Sequence, residues 1–252
     1  MIEIQEISKR YGSHLAVDRL NLTVPAGQIF GFIGPNGAGK TTTIRMLGGL
    51  IEPSAGTVAI SGIHMNRYPE AAKQQIGFIP DRPYLYEKLT GMEFLRFIAD
   101  LYGVADSEFS QRAGSLLTQF GLQNWQNELI EAYSHGMKQR LIMAAAILHE
   151  PKVIIVDEPM VGLDPAGIRM VRALFRNLAE DREVAFFVST HTLAIAEKLC
   201  DRIGIIDAGR LIATGTMDDL KIRAGATETD LESVFLTLTR EQHGTKDTPE
   251  AI

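Results

Sequence analysis

The chain has 252 residues, of which 45% are hydrophobic and 22% charged, enough to bury the core of an α/β domain with a subdomain or of two small domains. Its net charge of −6 argues against a nucleic-acid surface built on bulk charge, so no nucleic-acid partner is expected. The lone Cys200 excludes an internal disulfide, and we expect neither a signal peptide nor a membrane span, because the start lacks an apolar region and no run of about 18 apolar residues occurs.

The first part of the chain predicts strands around a glycine-rich turn. Alternating apolar residues favour strands near residues 2–7, 20–24 and 56–63. A compact apolar run at 28–34 ends in glycine, and residues 40–50 read as a helix that stops at Gly48 and Gly49.

The second part predicts helices followed by strands. Residues from about 90 to 150 favour helix, beginning at a capping box formed by Thr90 and Glu93. The apolar runs 153–158 and 184–191 are typical of strands buried on both faces of a parallel sheet. Residues 202–216 predict a hairpin, and the polar residues 241–252 predict a loose tail.

Residues 34–41, GPNGAGKT, match the phosphate-binding pattern G-x-x-x-x-G-K-[ST] between a predicted strand and a predicted helix. Glycines let the backbone curl so that N–H groups and the helix N-terminus face an anion. Lys40 can reach the β- and γ-phosphates of a nucleotide, and the hydroxyl of Thr41 can ligate Mg²⁺. The alternative is a glycine-rich turn that matches by chance.

Three polar residues follow the predicted parallel strands. Asp157 can hold Mg²⁺ directly or through water, and Glu158 can polarise a water for attack on the γ-phosphate. His191 lies where ligands bind in open α/β sheets and can donate a hydrogen bond to the γ-phosphate. A solvated strand end and a structural histidine are the alternatives.

The order of these motifs over roughly residues 1–220 resembles the ATPase subunits of ATP-binding cassette (ABC) transporters. Tyr11 looks like the aromatic residue that stacks on adenine, residues 34–41 are similar to Walker A, and 153–159 to Walker B. Residues 162–165, GLDP, resemble the D-loop, with Asp164. His191 looks like the switch histidine.

The resemblance implies an ATPase that uses ATP and Mg²⁺. Its fold would be a P-loop NTPase (RecA-like) core with a mainly parallel sheet, an N-terminal antiparallel β subdomain and an α-helical signature subdomain inserted at about 84–150. Residues 221–252 would form a short C-terminal helical extension and the tail. The implied ATP-binding residues are Tyr11, Gly34, Pro35, Asn36, Gly37, Ala38, Gly39, Lys40, Thr41 and Thr42, with Thr41, Asp157 and Asp81 at the metal and Lys40, Glu158 and His191 in catalysis.

The resemblance also implies partners. Two cassettes, identical or related, would dimerise head to tail around two ATP molecules, each bound by one Walker A and by the other chain's signature residues Ser134, His135, Gly136 and Met137. A separate transmembrane permease would place the cassette peripherally on the cytoplasmic face of the cell membrane. Residues 229–239 resemble the ending of cassettes that serve exporters.

Two positions depart from the family pattern. Asp81 stands where the Q-loop has glutamine, and we expect altered metal contacts there; an acid on a surface turn is the alternative. His135 stands where the signature has glycine. Its side chain is expected to point to solvent, with an approach to the partner-bound phosphate as the alternative. Ser134 can serve simply as an N-cap.

Two other functions are weighed against transport. A soluble ABC ATPase that acts on ribosomes or DNA is disfavoured, because the chain has one Walker A and lacks sustained heptads between Asp81 and Ser134. A regulator that binds ATP without hydrolysis is disfavoured by the intact residues Lys40, Asp157, Glu158 and His191.

Overall fold

The computed structural model describes residues 1–82, 84–225 and 230–244, with side chains through residue 239 in the last segment. Its strands are β1 (Ile2–Tyr11), β2 (His14–Val24), β3 (Ile29–Ile33), β4 (Ala55–Ile60), β5 (Ile63–His64), β6 (Ile76–Ile79), β7 (Val153–Asp157), β8 (Ala185–Thr190), β9 (Arg202–Asp207) and β10 (Arg210–Gly215). Its helices are α1 (Lys40–Leu47), α2 (Pro69–Lys73), α3 (Gly91–Tyr102), α4 (Asp106–Gln119), α5 (His135–Ile147), α6 (Pro165–Arg182), α7 (Leu193–Leu199), α8 (Met217–Arg223) and α9 (Leu231–Gly244).

The first sheet is antiparallel and has the strand order β2-β1-β4-β5. Ile2, Ile4 and Ile7 are buried, as the apolar spacing near the start of the chain predicts. Strand β1 continues to Tyr11, beyond the predicted end, because its partner β2 is also long and pairs with it up to the turn before His14.

The second sheet has the order β10-β9-β3-β8-β7-β6, and only β10 runs antiparallel to its neighbour. The predicted hairpin is confirmed by β9 and β10, and the predicted parallel strands by β7 and β8. Ile33 pairs with Thr190, and Asp157 pairs with Ser189. The carboxyl ends of β3, β7 and β8 therefore lie side by side at one edge of the sheet.

Each face of this sheet has its own core. Val153 and Ile155 pack with the first sheet and α1, whereas Ile154 and Val156 pack with α3, α4, α5 and α6. This alternation explains the continuous apolar run of β7, since both faces of the strand are covered.

The predicted helical region divides into α3, α4 and α5, and the predicted capping box at Thr90 and Glu93 is confirmed. Between α4 and α5, residues Gln123–Trp125 and Ile130–Ala132 form short 3-10 turns rather than a continuous helix. In the C-terminal part, Leu231, Val234 and Leu238 of α9 are buried against α7, α8 and β10.

Helix α9 includes residues 241–244, so the prediction of a loose tail is wrong for these four residues; the rest of that prediction, residues 245–252, lies outside the described part of the chain. The helix continues past the first polar residues because its apolar face packs against α7, α8 and β10. Among the described helices, none is both long and apolar enough to cross a membrane.

Candidate functional site

The loop between β3 and α1 requires glycine for space and for backbone conformation. A β-carbon at Gly34 would collide with the carbonyl oxygen of Ile206. Gly39 has a φ of 108° at the N-cap of α1, and a β-carbon there would lie 2.5 Å from the oxygen of Ala16. The loop is therefore packed against β9 and β2, which fixes its curl and directs the N-terminus of α1 into the space above it.

Lys40 lies inside this loop. Its ammonium group donates hydrogen bonds to the carbonyl oxygens of Gly34, at 2.6 Å, and Pro35, at 3.0 Å. Burial lowers the pKa of Lys40, while the negative charges of Glu158 and Asp157 oppose this shift. A positive charge is thus held at the centre of an anion-binding loop, within reach of two carboxylates.

An open cavity of about 470 Å³ brings most of the predicted nucleotide-binding residues together. Its lining consists of Tyr11, His14, Ala16, Asn36, Gly37, Gly39, Lys40, Thr41, Thr42, Asp81, Asp157, Glu158 and His191. Gly34, Pro35 and Ala38 lie in the loop beneath. His14 and Ala16 are additions that no sequence signal indicated; they line the cavity together with Tyr11, which pairs with His14 in the β1–β2 hairpin.

Tyr11 is an aromatic residue in the lining of this cavity. It pairs with His14 at the hairpin turn, and its side chain is 47% exposed. The ammonium group of Lys9 lies 5.5 Å from the ring centroid. An exposed aromatic ring at this position can stack on a flat heterocycle such as a nucleobase.

Asp157 and Asp81 place negative charge beside the loop. Asp157 is the last residue of β7; burial raises the pKa of its carboxyl group, and the charges of Glu158 and Asp81 add to that shift. Asp81 therefore lies close enough to Asp157 for their charges to interact, which sequence alone could not establish.

The carboxylate of Glu158 is held by three donors. Oε1 accepts from the backbone N–H of His191 at 2.8 Å and from its Nδ1 at 2.6 Å, and Oε2 accepts from Oγ1 of Thr190 at 2.9 Å. The hydroxyl of Thr190 accepts in turn from the backbone N–H of Thr192. Thr190 is a site residue that the sequence reasoning missed, because a buried threonine at the end of a strand resembles any other strand residue.

The residues around the loop fit Mg²⁺ when phosphates are present. The hydroxyl of Thr41 and the carboxylates of Asp157 and Asp81 line one cavity and supply the oxygen ligands that Mg²⁺ prefers. Within the described ranges, no three His, Cys, Asp or Glu side chains are grouped so that they could hold a metal ion. This pattern suits an ion that takes one or two protein carboxylates and completes its shell with phosphate oxygens and water.

The signature residues lie outside that cavity. Ser134 is the N-cap of α5 and accepts from the backbone N–H of Met137 at 3.3 Å. His135 is exposed, whereas Met137 is buried. The predicted D-loop residue Asp164 caps α6 by accepting from the N–H of Gly167.

The side chain of His135 does not simply extend into solvent. A β-carbon placed at Gly162 would lie 2.6 Å from Nε2 of His135 and closer still to Cδ2. The imidazole ring therefore lies directly against Gly162, which is the first residue of the predicted D-loop.

A family model described as ABC transporter matches residues 17–161. The bacitracin transport ATP-binding protein BcrA of Bacillus licheniformis is 42% identical over 223 residues, 88% of this chain and 72% of that protein. The linearmycin resistance ATP-binding protein LnrL of Bacillus subtilis is 39% identical over 225 residues, 89% of this chain and 72% of that protein.

Solved structures agree with the sequence relatives. An ATP-binding subunit of an ABC transporter superposes with a TM-score of 0.90 and 36% identity, covering 95% of this chain and 99% of that one. A dimeric ATP-binding cassette in a post-hydrolysis state with ADP and Pi superposes with a TM-score of 0.78 and 25% identity, covering 86% of this chain and 99% of that one.

These likenesses confirm the predicted P-loop ATPase fold, with its antiparallel sheet, mainly parallel sheet and helices. The matched region includes the phosphate loop, the signature residues and the Walker B strand, and the relatives extend the match over most of the chain. The chain belongs to the ABC transporter family, as one of its ATP-binding and ATP-hydrolysing subunits.

Proposed function

We propose that two such cassettes close head to tail on two ATP molecules and that this closure drives a separate membrane permease. The proposal rests on the observation that a single chain holds its two groups of predicted ATP-contacting residues in separate places. The cavity holds Lys40, Thr41 and Glu158, whereas the capped N-terminus of α5 lies outside it with Ser134 and His135 exposed. A helix N-terminus can bind an anion, so it can serve the ATP that a second cassette holds.

Within each cassette, the loop residues would bind the phosphates. Lys40 would exchange its bonds to the carbonyls of Gly34 and Pro35 for bonds to the β- and γ-phosphates. Thr41, Asp157 and Asp81 would hold Mg²⁺, which supplies Lewis-acid stabilisation of charge on the phosphate oxygens. Tyr11 would stack on adenine.

Glu158 is our proposed general base. Its carboxylate is oriented by Thr190 and His191 and can accept a proton from a water aligned with the γ-phosphate. The ring of His191 is well exposed to the cavity, with 63% of its side chain accessible, so it can turn from Glu158 to the γ-phosphate. The same residue would then report whether that phosphate is present.

The surface around α3 is our candidate for the permease contact. Apolar area is exposed there by Tyr84, Tyr86, Phe97 and Leu101. The rings of Tyr86 and Phe97 pack edge to face, with their centroids 5.3 Å apart. Exposed aromatic groups of this kind are typical of protein–protein contacts. Contact with a membrane subunit would place the cassette on the cytoplasmic face of the membrane.

Outward transport is favoured by the names of the relatives. One is named for bacitracin transport and another for linearmycin resistance, and removal of a toxic compound from the cell fits both names. The cargo would be chosen by the permease, so the cassette itself need not contact it.

The test is Glu158→Gln, which removes the base but leaves Lys40 and the loop intact. With saturating ATP and Mg²⁺, we expect turnover to fall by about a thousandfold and the protein to elute as a dimer in size-exclusion chromatography with light scattering. A variant that binds ATP and stays monomeric would overturn the closed pair.

The membrane partner is tested separately by affinity purification from membranes in mild detergent. We expect a polytopic protein to be recovered with the cassette. Recovery with ribosomes instead would favour a soluble ABC ATPase.

A further inference from the structure

The ring of His135 fills a gap between the first turn of α5 and the loop that leads from Glu158 to α6. Gly162 has a φ of 79°, and the space where its β-carbon would lie is occupied by Cδ2 and Nε2 of His135. The backbone of Gly136 also passes close to this loop, since a β-carbon at Gly136 would lie 3.1 Å from the carbonyl oxygen of Gly162. The ring of His135 thus lies against Gly162, and the backbone of the next residue of α5 leaves little space beside it.

That loop is short and internally bonded. The N–H of Val161 donates to the carbonyl of Glu158, and the N–H of Leu163 donates to that of Met160, both at 3.3 Å. Glu158 itself is tied to β8, since its N–H donates to the carbonyl of Ser189 at 2.9 Å. A displacement of Gly162 therefore reaches the backbone of Glu158 through two overlapping turns.

We propose that His135 is a positioning residue that transmits the state of the α5 N-terminus to Glu158. The proposal rests on the paired arrangement above, in which that terminus faces the ATP bound by the other cassette. Closure on the ATP shifts the first turn of α5, the imidazole ring presses on Gly162, and the loop from 158 to 163 moves with it. Occupation of one site thereby sets the base of the other site.

The geometry makes this transmission depend on a ring at 135 and on the absence of a side chain at 162. A glycine at 135 would leave the space above Gly162 empty, and the loop would no longer follow α5 at that point. A side chain at 162 would displace the ring and shift the loop even without ATP.

The first measurement compares His135→Gly and His135→Phe in steady-state ATP hydrolysis. Phenylalanine provides a flat ring without ring nitrogens. This variant therefore separates the packing of the ring against Gly162 from any hydrogen bond or charge of the imidazole. We expect the Hill coefficient for ATP, which lies between 1 and about 2 for a two-site pair, to fall towards 1 in His135→Gly and to be retained in His135→Phe. Equal Hill coefficients in His135→Gly and the wild type would overturn the proposal.

The second measurement is a double-mutant cycle with Gly162→Ala. In the wild-type background, alanine meets both an unfavourable φ and the ring of His135, and we expect kcat to fall by about tenfold or more. In His135→Gly only the backbone strain remains, and the same substitution should lower kcat by about threefold. An equal loss in both backgrounds would show that the ring and the loop are not coupled.

Two controls separate the possible failures. Thermal denaturation without nucleotide tells whether Gly162→Ala folds; if it does not, the comparison of glycine and phenylalanine at 135 still decides the proposal. Dimerisation of Glu158→Gln with ATP tests the paired arrangement itself. If the dimer forms normally and the Hill coefficient is the same in the wild type and the variants at position 135, the role of His135 is refuted and the proposed function stands.

Discussion

Replacing Thr190 with valine tests whether its hydroxyl orients the proposed base. Thr190 is fully buried at the end of β8, and valine fills about the same space while exchanging the hydroxyl for a methyl group. The hydroxyl oxygen accepts from the N–H of Thr192, and the hydroxyl donates its single hydrogen to Oε2 of Glu158, 2.9 Å away, because an ionised carboxylate can only accept. In the valine variant, Oε2 loses this donor and the N–H of Thr192 loses its acceptor.

The expected loss of stability follows from those two groups. A hydrogen bond to a charged group contributes roughly 1.5–3 kcal/mol, and Glu158 is nearly buried, with 12% of its side chain exposed. The free energy of unfolding should fall by about 2–3 kcal/mol, and Tm by roughly 4–12 °C for a chain of this size. Turnover should fall about tenfold if 1.4 kcal/mol of carboxylate orientation is lost in the transition state.

Thr190→Ser is the matched control. It keeps the hydroxyl and loses one methyl group, which costs about 1 kcal/mol in a packed site. Calorimetry and a phosphate-release assay at saturating ATP should therefore give a serine variant close to the wild type in kcat and a valine variant well below it. Equal kcat values for serine and valine would refute the reasoning that the hydroxyl holds Glu158.

Two further changes have calculable outcomes. Without nucleotide, Gly39→Ala should lower the free energy of unfolding by about 1–3 kcal/mol more than Gly37→Ala does. Both glycines have a positive φ, but only at position 39 would the new β-carbon also collide with the Ala16 oxygen. Urea denaturation measures the two losses, and equal losses would contradict this reasoning. Burial lowers the pKa of His149 to about 4, below its unfolded value of about 6.5, so its neutral form contributes stability above pH 6.5 that is lost as pH falls towards 4. His149→Gln should show a shallower loss of Tm over that range, and parallel curves would refute the assignment.

Much of the fold could be predicted from local patterns. The phosphate loop, the capping box at Thr90 and the hairpin at 207–210 each depend on a few neighbouring residues whose conformational preferences agree with the final structure. The strands of the parallel sheet were predictable because burial on both faces leaves a continuous apolar run, as in β7 and β8.

Other elements gave too little signal. Strand β6 has only four residues, which is too short for an alternation to stand out. It pairs with β7, and Gly77 lets it pass close to the carbonyl oxygen of Ala146. Helix α6 carries Val171, Leu174, Phe175 and Leu178 on its buried face, a helical spacing that went unused in the sequence reasoning.

The residues of the site also divide into those that local motifs specify and those that only tertiary packing positions. The cavity depends on residues that the motifs specify, such as Lys40 and Asp157, so their placement follows from the loop and the strand ends. The position of the His135 ring depends instead on a contact with Gly162, and that of the Thr190 hydroxyl on Glu158. Such contacts are set by tertiary packing and leave no local pattern.

The order of strands in the parallel sheet has a consequence for biosynthesis. Strand β3, which carries the phosphate loop, pairs with β8 on one side and β9 on the other: Ile29 lies opposite Phe186, and Phe30 opposite Arg202. As the ribosome releases the chain from its N-terminus, the loop motif emerges well before either neighbour of its strand, since β8 and β9 follow α1 to α6 in the chain. In the nascent chain, β3 therefore lacks both of its sheet partners until β8 and β9 have also left the exit tunnel, so the strand that carries the phosphate loop cannot join the sheet before that point.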